Sequence, residues 1–412
     1  MSPSPTNHAT VVVVGGGPVG LTVALLLARA GVAVTVFEGG AELHTELRAS
    51  TFHAATLDLL EPSGLTEAMV DAGLVADVMR YFDRHEGLVA EFDHAAIADA
   101  TGFPFRLQLE QYKYAQLVLD RLLEEPTATV RFAHEVVAVR PTDRGATVTV
   151  RSGGATAEVT ADFVVGADGA RGAVRKSLGL EFEGWTYEQR FLLISTRFPF
   201  EQHLPELCHV NYMADPDEFV MLLRIPDVWR VLVPVPVDEP EAVSTTPERL
   251  ASVLARILPD HDDWTGQVLG HQIYNVHQRV AERLRVGHVV LAGDAAHMNS
   301  PMGGFGLNSG IHDAIDLATR LRRILESGGD EELADAELDT YDVRRRTIAL
   351  DHVRAMSHRN TSMLTERDPG RRAELIEQFR RMAADPDASR AFLLDASMIS
   401  LVTAEGIGVA PT

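Results

Sequence analysis

Three short stretches of this sequence combine residue types and spacings that could do chemistry. The first is 293–308, Gly-Asp-Ala-Ala-His-Met-Asn-Ser-Pro-Met-Gly-Gly-Phe-Gly-Leu-Asn. An apolar run, 288–292, stops at Gly293-Asp294. A loop with Pro301, Gly303, Gly304 and Gly306 follows, and apolar residues then recur at helical spacing from Leu307 to Ile324. A helix start offers backbone N–H groups without intrahelical partners and the positive end of a dipole. Glycine lets a ligand approach the backbone closely. Such a place suits an electron-rich, partly anionic ring edge. The same pattern would also serve a strand–helix turn in which glycine answers to geometry alone.

The second stretch is Gly15-Gly-Gly-Pro18-Val-Gly20, with G-x-G-x-x-G on Gly15, Gly17 and Gly20. The β-branched run Thr10–Val14 precedes it and a helical pattern, Leu21–Ala30, follows. A second strand, Ala33–Phe37, then ends on Glu38, 18 residues past Gly20. Strand, glycine turn, helix, strand and terminal acid together make a dinucleotide-binding βαβ unit. The glycines admit a pyrophosphate to the helix N-terminus, and Glu38 takes the ribose hydroxyls of an adenosine. The third stretch is Gly166-Ala-Asp168-Gly169, leaving an apolar strand 161–165 with Arg171 and Arg175 beyond. Alone, an Asp-Gly there would be read as a turn.

These groups need elements to hold them. Residues 56–65 read as a short amphipathic segment, and 75–105 mostly as strands. Residues 110–125 read as a helix stopped by Pro126. Runs at 130–139, 146–152 and 156–160 read as an antiparallel meander. Strands are expected at 191–198, 209–213, 219–225, 229–237 and 272–277, with a helix at 247–258 and helical stretches at 334–363 and 371–383. The βαβ parts at both ends enclose the sheet-rich middle. The fold class is therefore α/β, a Rossmann-like nucleotide-binding domain with an inserted antiparallel-sheet substrate domain and C-terminal helices. The domains are drawn as 1–75, 106–182 and 273–330 for the discontinuous nucleotide part, 76–105 and 183–272 for the substrate sheet, and 331–412 for the helical region.

Composition bounds the function. A chain of 412 residues gives room for roughly two to three domains. The formal charge of −22 argues against nucleic acid or an anionic membrane as partner, because both need a basic surface. The apolar stretch 11–36 is broken by glycines, Pro18 and Arg29, so no membrane span is expected. The N-terminus is short and polar and lacks the features of a signal peptide. With Cys208 as the single cysteine there is no disulfide and no cysteine-based metal site. Cys208 is expected to be a buried small hydrophobe. A cytoplasmic protein fits.

The three motifs, in this order, resemble those of the class A FAD-dependent monooxygenases, the para-hydroxybenzoate-hydroxylase-like aromatic hydroxylases, over nearly the whole chain. The resemblance implies FAD (GR2-type binding), with NADH or NADPH as reductant and O2 as cosubstrate. Oxygen would pass to a small aromatic, phenolic or similar substrate through a flavin C4a-hydroperoxide, in an EC 1.14.13-like reaction, in secondary metabolism among other settings. It implies that Gly15, Gly17, Pro18 and Gly20 cradle the pyrophosphate and Glu38 the adenosine ribose. Arg48 and Gln111 would contact FAD, and Asp168 and Gly169 would serve FAD and NAD(P)H. Asp294 would bond the ribityl chain, and Pro301, Gly303, Gly304, Gly306, Leu307 and Asn308 would line the isoalloxazine. Two positions depart from the family pattern: Gly172 stands where Ser is frequent and Phe305 where Gln is frequent. The chain stops at 412, so the C-terminal thioredoxin-like domain of longer polyketide hydroxylases is expected to be absent.

No catalytic base is evident. His53, His209, Tyr212 and Arg224 are candidates by position, and each also reads as a packed or exposed side chain. His297 reads as structural. Trp185, Trp229, Met213, Met221 and Phe219 could line an aromatic pocket or simply pack. Arg344–Arg346 and Arg371-Arg372 read as solvated helix faces. Alternatives on this scaffold are an antibiotic-inactivating monooxygenase, a halogenase (whose Trp-x-Trp-x-Ile-Pro signature is missing) or a non-enzymatic flavin- or ligand-binding protein. The oligomer is expected to be a monomer or homodimer.

Overall fold

The computed structural model describes residues 8–46, 48–259, 261, 263–264 and 266–405. Most of the polar N-terminal stretch therefore lies outside the described residues. The β-branched run His8–Val14 is the central strand of a sheet whose path runs Arg285–Val286, Val289–Leu291, Ala155–Gly166, His8–Val14, Val34–Phe37, Ala128–Arg131. Its strands are parallel except at the Arg285–Val286 edge. Their buried stretches, Val11–Val14, Val34–Phe37, Phe163–Val165 and Val289–Leu291, are rich in valine because helices cover the sheet. Helix Pro18–Arg29 packs on helices Gln111–Leu123 and Phe305–Glu326. A hairpin, Glu135–Thr142 and Gly145–Ser152, extends the long strand Ala155–Gly166 as an antiparallel flap.

Two sequence expectations change here. The strand expected at 130–139 is two strands. Ala128–Arg131 pairs with Val34–Phe37, and the chain breaks at Ala133, which adopts φ 55°, before Glu135–Thr142. The runs 156–160 and 161–165 are instead one strand. Its first half pairs with the hairpin and its second half with the central strand, so one apolar run serves two neighbours.

The second sheet has eight strands in the order His297–Met298, Val268–Ala281, Phe182–Thr196, Trp229–Pro236, Val220–Arg224, Val210–Ala214, Val78–Asp83, Gly87–Asp93. It is antiparallel except that Val210–Ala214 runs parallel to Val78–Asp83. Strand Val268–Ala281 stays in this sheet throughout, so a boundary at 272/273 cuts through it. Alternation gives the sheet two faces. Leu192, Ile194, Val231 and Val233 pack outward with helix Pro247–Ile257. Phe191, Leu193, Tyr212, Met221 and Leu232 pack inward, in the same cluster as Met302 of the 293–308 loop. A small third sheet, Thr51–Phe52, Arg106–Gln108 and Leu74–Ala76, lies between.

The helix expected over 334–363 is interrupted. Glu331–Thr347 passes through a π-helical stretch, Ile348–Val353, into Arg354–Thr365. Helices Pro386–Ala396 and Ile399–Glu405 were not read from the sequence. Among the described residues no helix is long and apolar enough to cross a membrane.

Candidate functional site

The three motifs lie side by side at the carboxyl ends of adjacent parallel strands. Gly15 N donates to Phe37 O at 2.8 Å, Ala167 N to Val14 O at 2.8 Å, and Ala292 N to Gly166 O at 3.0 Å. In open α/β sheets this edge is where ligands bind. Gly15 sits at φ +107°, and a Cβ there would fall 2.4 Å from Ala167 O, so only glycine lets the first two motifs touch. Gly293 and Gly310 both pack on Val19; a Cβ on either would come within 2.9 Å of its methyl. That contact seats the third motif against the first helix. Gly17, the N-cap of that helix, faces open space, and Pro18 opens the helix without a donor to waste.

The acids of the three motifs differ. Glu38 Oε2 accepts from Gly16 N and Oε1 from Gly40 N, both at 2.7 Å, which fixes the carboxylate beside the glycine turn. Asp168 Oδ2 accepts from Val174 N at 3.0 Å, but Oδ1 is buried without a partner, and burial raises its pKa. A Cβ on Gly172 would fall 2.1 Å from that carboxylate, so the departure at 172 is what lets Asp168 fold over this turn. Asp294 opens onto solvent-accessible space within an otherwise dense cleft, and the protein around it also raises its pKa. Arg48, exposed and paired with Glu46 at 3.0 Å, lies within electrostatic reach of Asp294 and opposes that rise. Gln111 opens helix Gln111–Leu123, tied by its N–H to Ala49 O at 3.0 Å. Arg175 is a link the sequence did not reveal. It is buried, donates to Ala170 O and Ala295 O, and stacks over Phe182, binding the second motif to the third.

In the 301–308 loop, Gly303 (φ +101°) and Gly304 (φ +74°) make left-handed turns into the helix N-terminus. The first-turn N–H groups of that helix have no side-chain cap. Phe305 does not face outward; it is 1% exposed and stacks on His53 with centroids 5.4 Å apart. A Cβ on Gly303 would strike that ring at 2.3 Å. Leu307 is buried. The Asn308 side chain is consumed internally, donating to Thr51 O and Gly304 O and accepting from His53 N and Thr56 Oγ1. Its side chain braces the loop, and only its backbone is left for a ligand.

The four base candidates are not brought together. His53 is fully buried, 2.9 Å from Gly303 O through Nε2. Its pKa is well lowered by burial and by Arg106, so it stands as a neutral support of the loop. His209 bonds Val75 O at 2.8 Å, and Arg224 donates to its neighbour Ile225 O at 2.7 Å. Tyr212 alone faces inward as a buried polar group, accepting from Arg106 Nη1 at 3.0 Å. Of the proposed pocket residues, Met221 and Phe219 pack inward. Trp229 and Met213 lie on the outer face, where Trp229 Nε1 donates to Glu201, and Trp185 is exposed. Cys208 is half-buried, and burial raises its pKa, which removes it as a nucleophile.

The arginines read as solvated include two that are not. Arg345 is 0% exposed and bonds Asp313 Oδ1 through Nε at 2.5 Å. Arg372 pairs with buried Asp83. Asp313 also accepts from Gly293 N at 2.8 Å and lies 2.7 Å from His297 Nε2, so His297 is engaged in the interior behind the loop. Burial alone would raise the Asp313 pKa, but His297 and Arg345 hold it far below the carboxylate range.

Known proteins resemble this chain closely. A family model described as an FAD binding domain matches residues 8–356. A para-nitrophenol 4-monooxygenase of a Pseudomonas species is 32% identical over 389 residues, covering 93% of this chain and 94% of that protein. A 6-hydroxy-3-succinoylpyridine 3-monooxygenase of Pseudomonas putida is 29% identical over 383 residues, covering 92% and 95%. The crystal structure of a p-nitrophenol 4-monooxygenase from Pseudomonas putida superposes with a TM-score of 0.88 at 32% identity, covering 94% of this chain and 97% of that one.

Proposed function

We propose, from the premise that this chain belongs to the FAD-binding-domain family of flavin-dependent aromatic monooxygenases, that it hydroxylates a small phenolic or similar aromatic compound, with FAD as cofactor, NADH or NADPH as reductant and O2 as cosubstrate. One observation carries the reading: three motifs more than 120 residues apart in the chain meet at the carboxyl ends of three adjacent parallel strands. The residues present fit FAD, because Gly17 leaves its helix N-terminus open and buried Asp168 Oδ1 lacks a partner.

When bound, FAD supplies two-electron reduction by the nicotinamide and activation of O2. The chain's own groups do the rest. The Pro18 helix start and Gly15, Gly17 and Gly20 receive the pyrophosphate. Each Glu38 oxygen keeps a second lone pair for a ribose hydroxyl. Asp294 takes the ribityl hydroxyls, with Arg48, Gln111, Asp168 and Gly169 at the rim. Pro301, Gly303, Gly304, Gly306 and Leu307 and the backbone of Asn308 set the uncapped helix dipole against the ring edge, where negative charge develops. The inward face of the second sheet, with Met302, excludes water. On this reading residues 76–105 and 183–272 bind substrate and 331–412 buttress both parts. The protein acts in the cytoplasm as a monomer or homodimer.

The test is NADH or NADPH consumption by the yellow holoprotein across a panel of nitrophenols, hydroxybenzoates and hydroxypyridines, with mass spectrometry of the products. A compound that accelerates consumption and either gains about one oxygen atom in mass or, for a nitrophenol oxygenated at the nitro-bearing carbon, exchanges its nitro group for oxygen with release of nitrite supports the reading. No acceleration anywhere in the panel removes it.

A further inference from the structure

Arg106 is 3% exposed, and among the described residues its guanidinium meets no carboxylate at ion-pair distance. A buried charge without a counter-ion is costly. Nη1 donates to Tyr212 Oη at 3.0 Å, while Nε is buried with no partner. Gln108, two residues along the same strand and so on the same face, accepts from Thr51 Oγ1 at 3.1 Å and leaves its Nε2 buried and unpartnered. Thr51 in turn packs under Gly304. The strand thus carries two unused donors on one face, Arg106 against Tyr212 of the second sheet and Gln108 beside Thr51 beneath the 301–308 loop.

Their surroundings are aromatic, and the charge nearest Tyr81 besides Arg106 is another cation, Arg359. Tyr212 stacks on Tyr81 at 4.8 Å and 15°. Burial and then Arg106 itself lower the pKa of His94 to about 4, so it is neutral. His94 Nδ1 lies 2.7 Å from Asp77 O and carries the proton, which leaves buried Nε2 as an unpartnered acceptor. Two donors, one acceptor and stacked phenol rings fit an aromatic ring that carries an anionic group at one end.

We propose that Arg106, assisted by Gln108, anchors a delocalised oxyanion (a carboxylate, or a phenolate such as that of a nitrophenol) on the aromatic substrate, and so selects acidic rings over neutral ones. This rests on the hydroxylase reading for the word substrate, but the anchor is testable without turnover. Holoprotein is titrated with 4-hydroxybenzoate, 4-nitrophenol and the neutral 4-hydroxybenzamide, following the visible spectrum of bound FAD. Wild type binds at least one of the two acidic probes about tenfold to a hundredfold more tightly than the amide, the span of a charge-assisted hydrogen bond. The preferred probe tells carboxylate from nitrophenolate. Arg106→Gln loses the margin and Arg106→Lys keeps part of it, while the amide binds as before. Equal margins in wild type and Arg106→Gln, or no margin in wild type, overturn the proposal. Should Arg106→Gln fail to fold, Arg106→Lys and Tyr212→Phe are read instead, and an unreduced margin in both overturns it. A full margin without ligand-stimulated NAD(P)H consumption removes the hydroxylase reading and leaves the anchor standing.

Discussion

Two buried polar clusters flank the 293–308 loop, and they are built on opposite terms. Behind the loop, Asp313 is saturated: Arg345, His297 and the Gly293 N–H all reach it, and none of the three side chains is more than 5% exposed. In front of it, Arg106, Gln108 and Asp168 each keep a buried atom without a partner. The acids register the same contrast. Asp313 is driven down by its partners, whereas burial raises Asp168. The saturation is particular to Asp313, since His312 Nδ1 and Asp316 Oδ2 on the same helix are also buried without partners; what sets the front apart is that its unpartnered atoms stand where a ligand is expected.

The sharpest way to break this comparison is Arg345→Met. Removing one member of a buried pair strands the other, so unfolding of the holoprotein should show a loss of about 3–5 kcal/mol. The double variant Asp313→Leu/Arg345→Met should regain little of it, because it leaves the Gly293 N–H and His297 without their acceptor. A single-variant loss below about 1 kcal/mol would mean the rear cluster is not the structural one.

Acid should come next. Burial, followed by charges nearby, depresses His312 to about 3 and His94 to about 4. A base depressed on folding binds fewer protons than in the unfolded chain, so stability falls as pH drops from the ordinary histidine value toward the folded one. Each group contributes up to about 1.4 kcal/mol per pH unit in that window. Denaturation between pH 7 and 5 should steepen accordingly, and His94→Gln or His312→Gln should each flatten the slope. Asp313 adds no slope there; its contribution is lost only below the ordinary carboxylate range, as pH falls toward its depressed folded value.

On the open side, Asp294→Ala should weaken FAD by about 1.5–3 kcal/mol, read as flavin retained after gel filtration against an unchanged circular dichroism spectrum. Full retention would take Asp294 out of the cofactor site. The smallest effect belongs to Gly303→Ala. Its φ of +101° and the Phe305 ring at 2.3 Å predict a loss of about 1–3 kcal/mol together with slower flavin reduction. An unchanged melting temperature would show that the loop shifts freely, contrary to the His53–Phe305 stack.

The polar positions that escaped the sequence share a cause. Arg106, Gln108 and Glu110 alternate with Leu107 and Leu109, a pattern that normally places the polar set in water. Here a second sheet covers that face and all of them are buried. Arg345 was misread the same way: a run of three arginines on a helix looks solvated, and only the position of Asp313 on the neighbouring helix gives one of them an interior partner. Pocket lining and plain packing could not be told apart for Trp229 and Met213, which pack on the outer face, because a strand's alternation says which residues share a face, not which face meets the ligand.

What the sequence determined by itself was local: glycines where φ or close approach excludes every other residue, an acid just past three of the strands (Glu38, Asp168 and Asp294), and apolar runs of strand and helix period. Those constraints act over a few residues, so Gly15–Gly20, Asp168-Gly169 and Gly293-Asp294 were legible together with the α/β class. The tertiary structure alone decided which buried charges are neutralised. That depends on partners such as Asp313 and Arg345, 32 residues apart, or on the lack of one beside Arg106, and charges interact through space rather than along the chain.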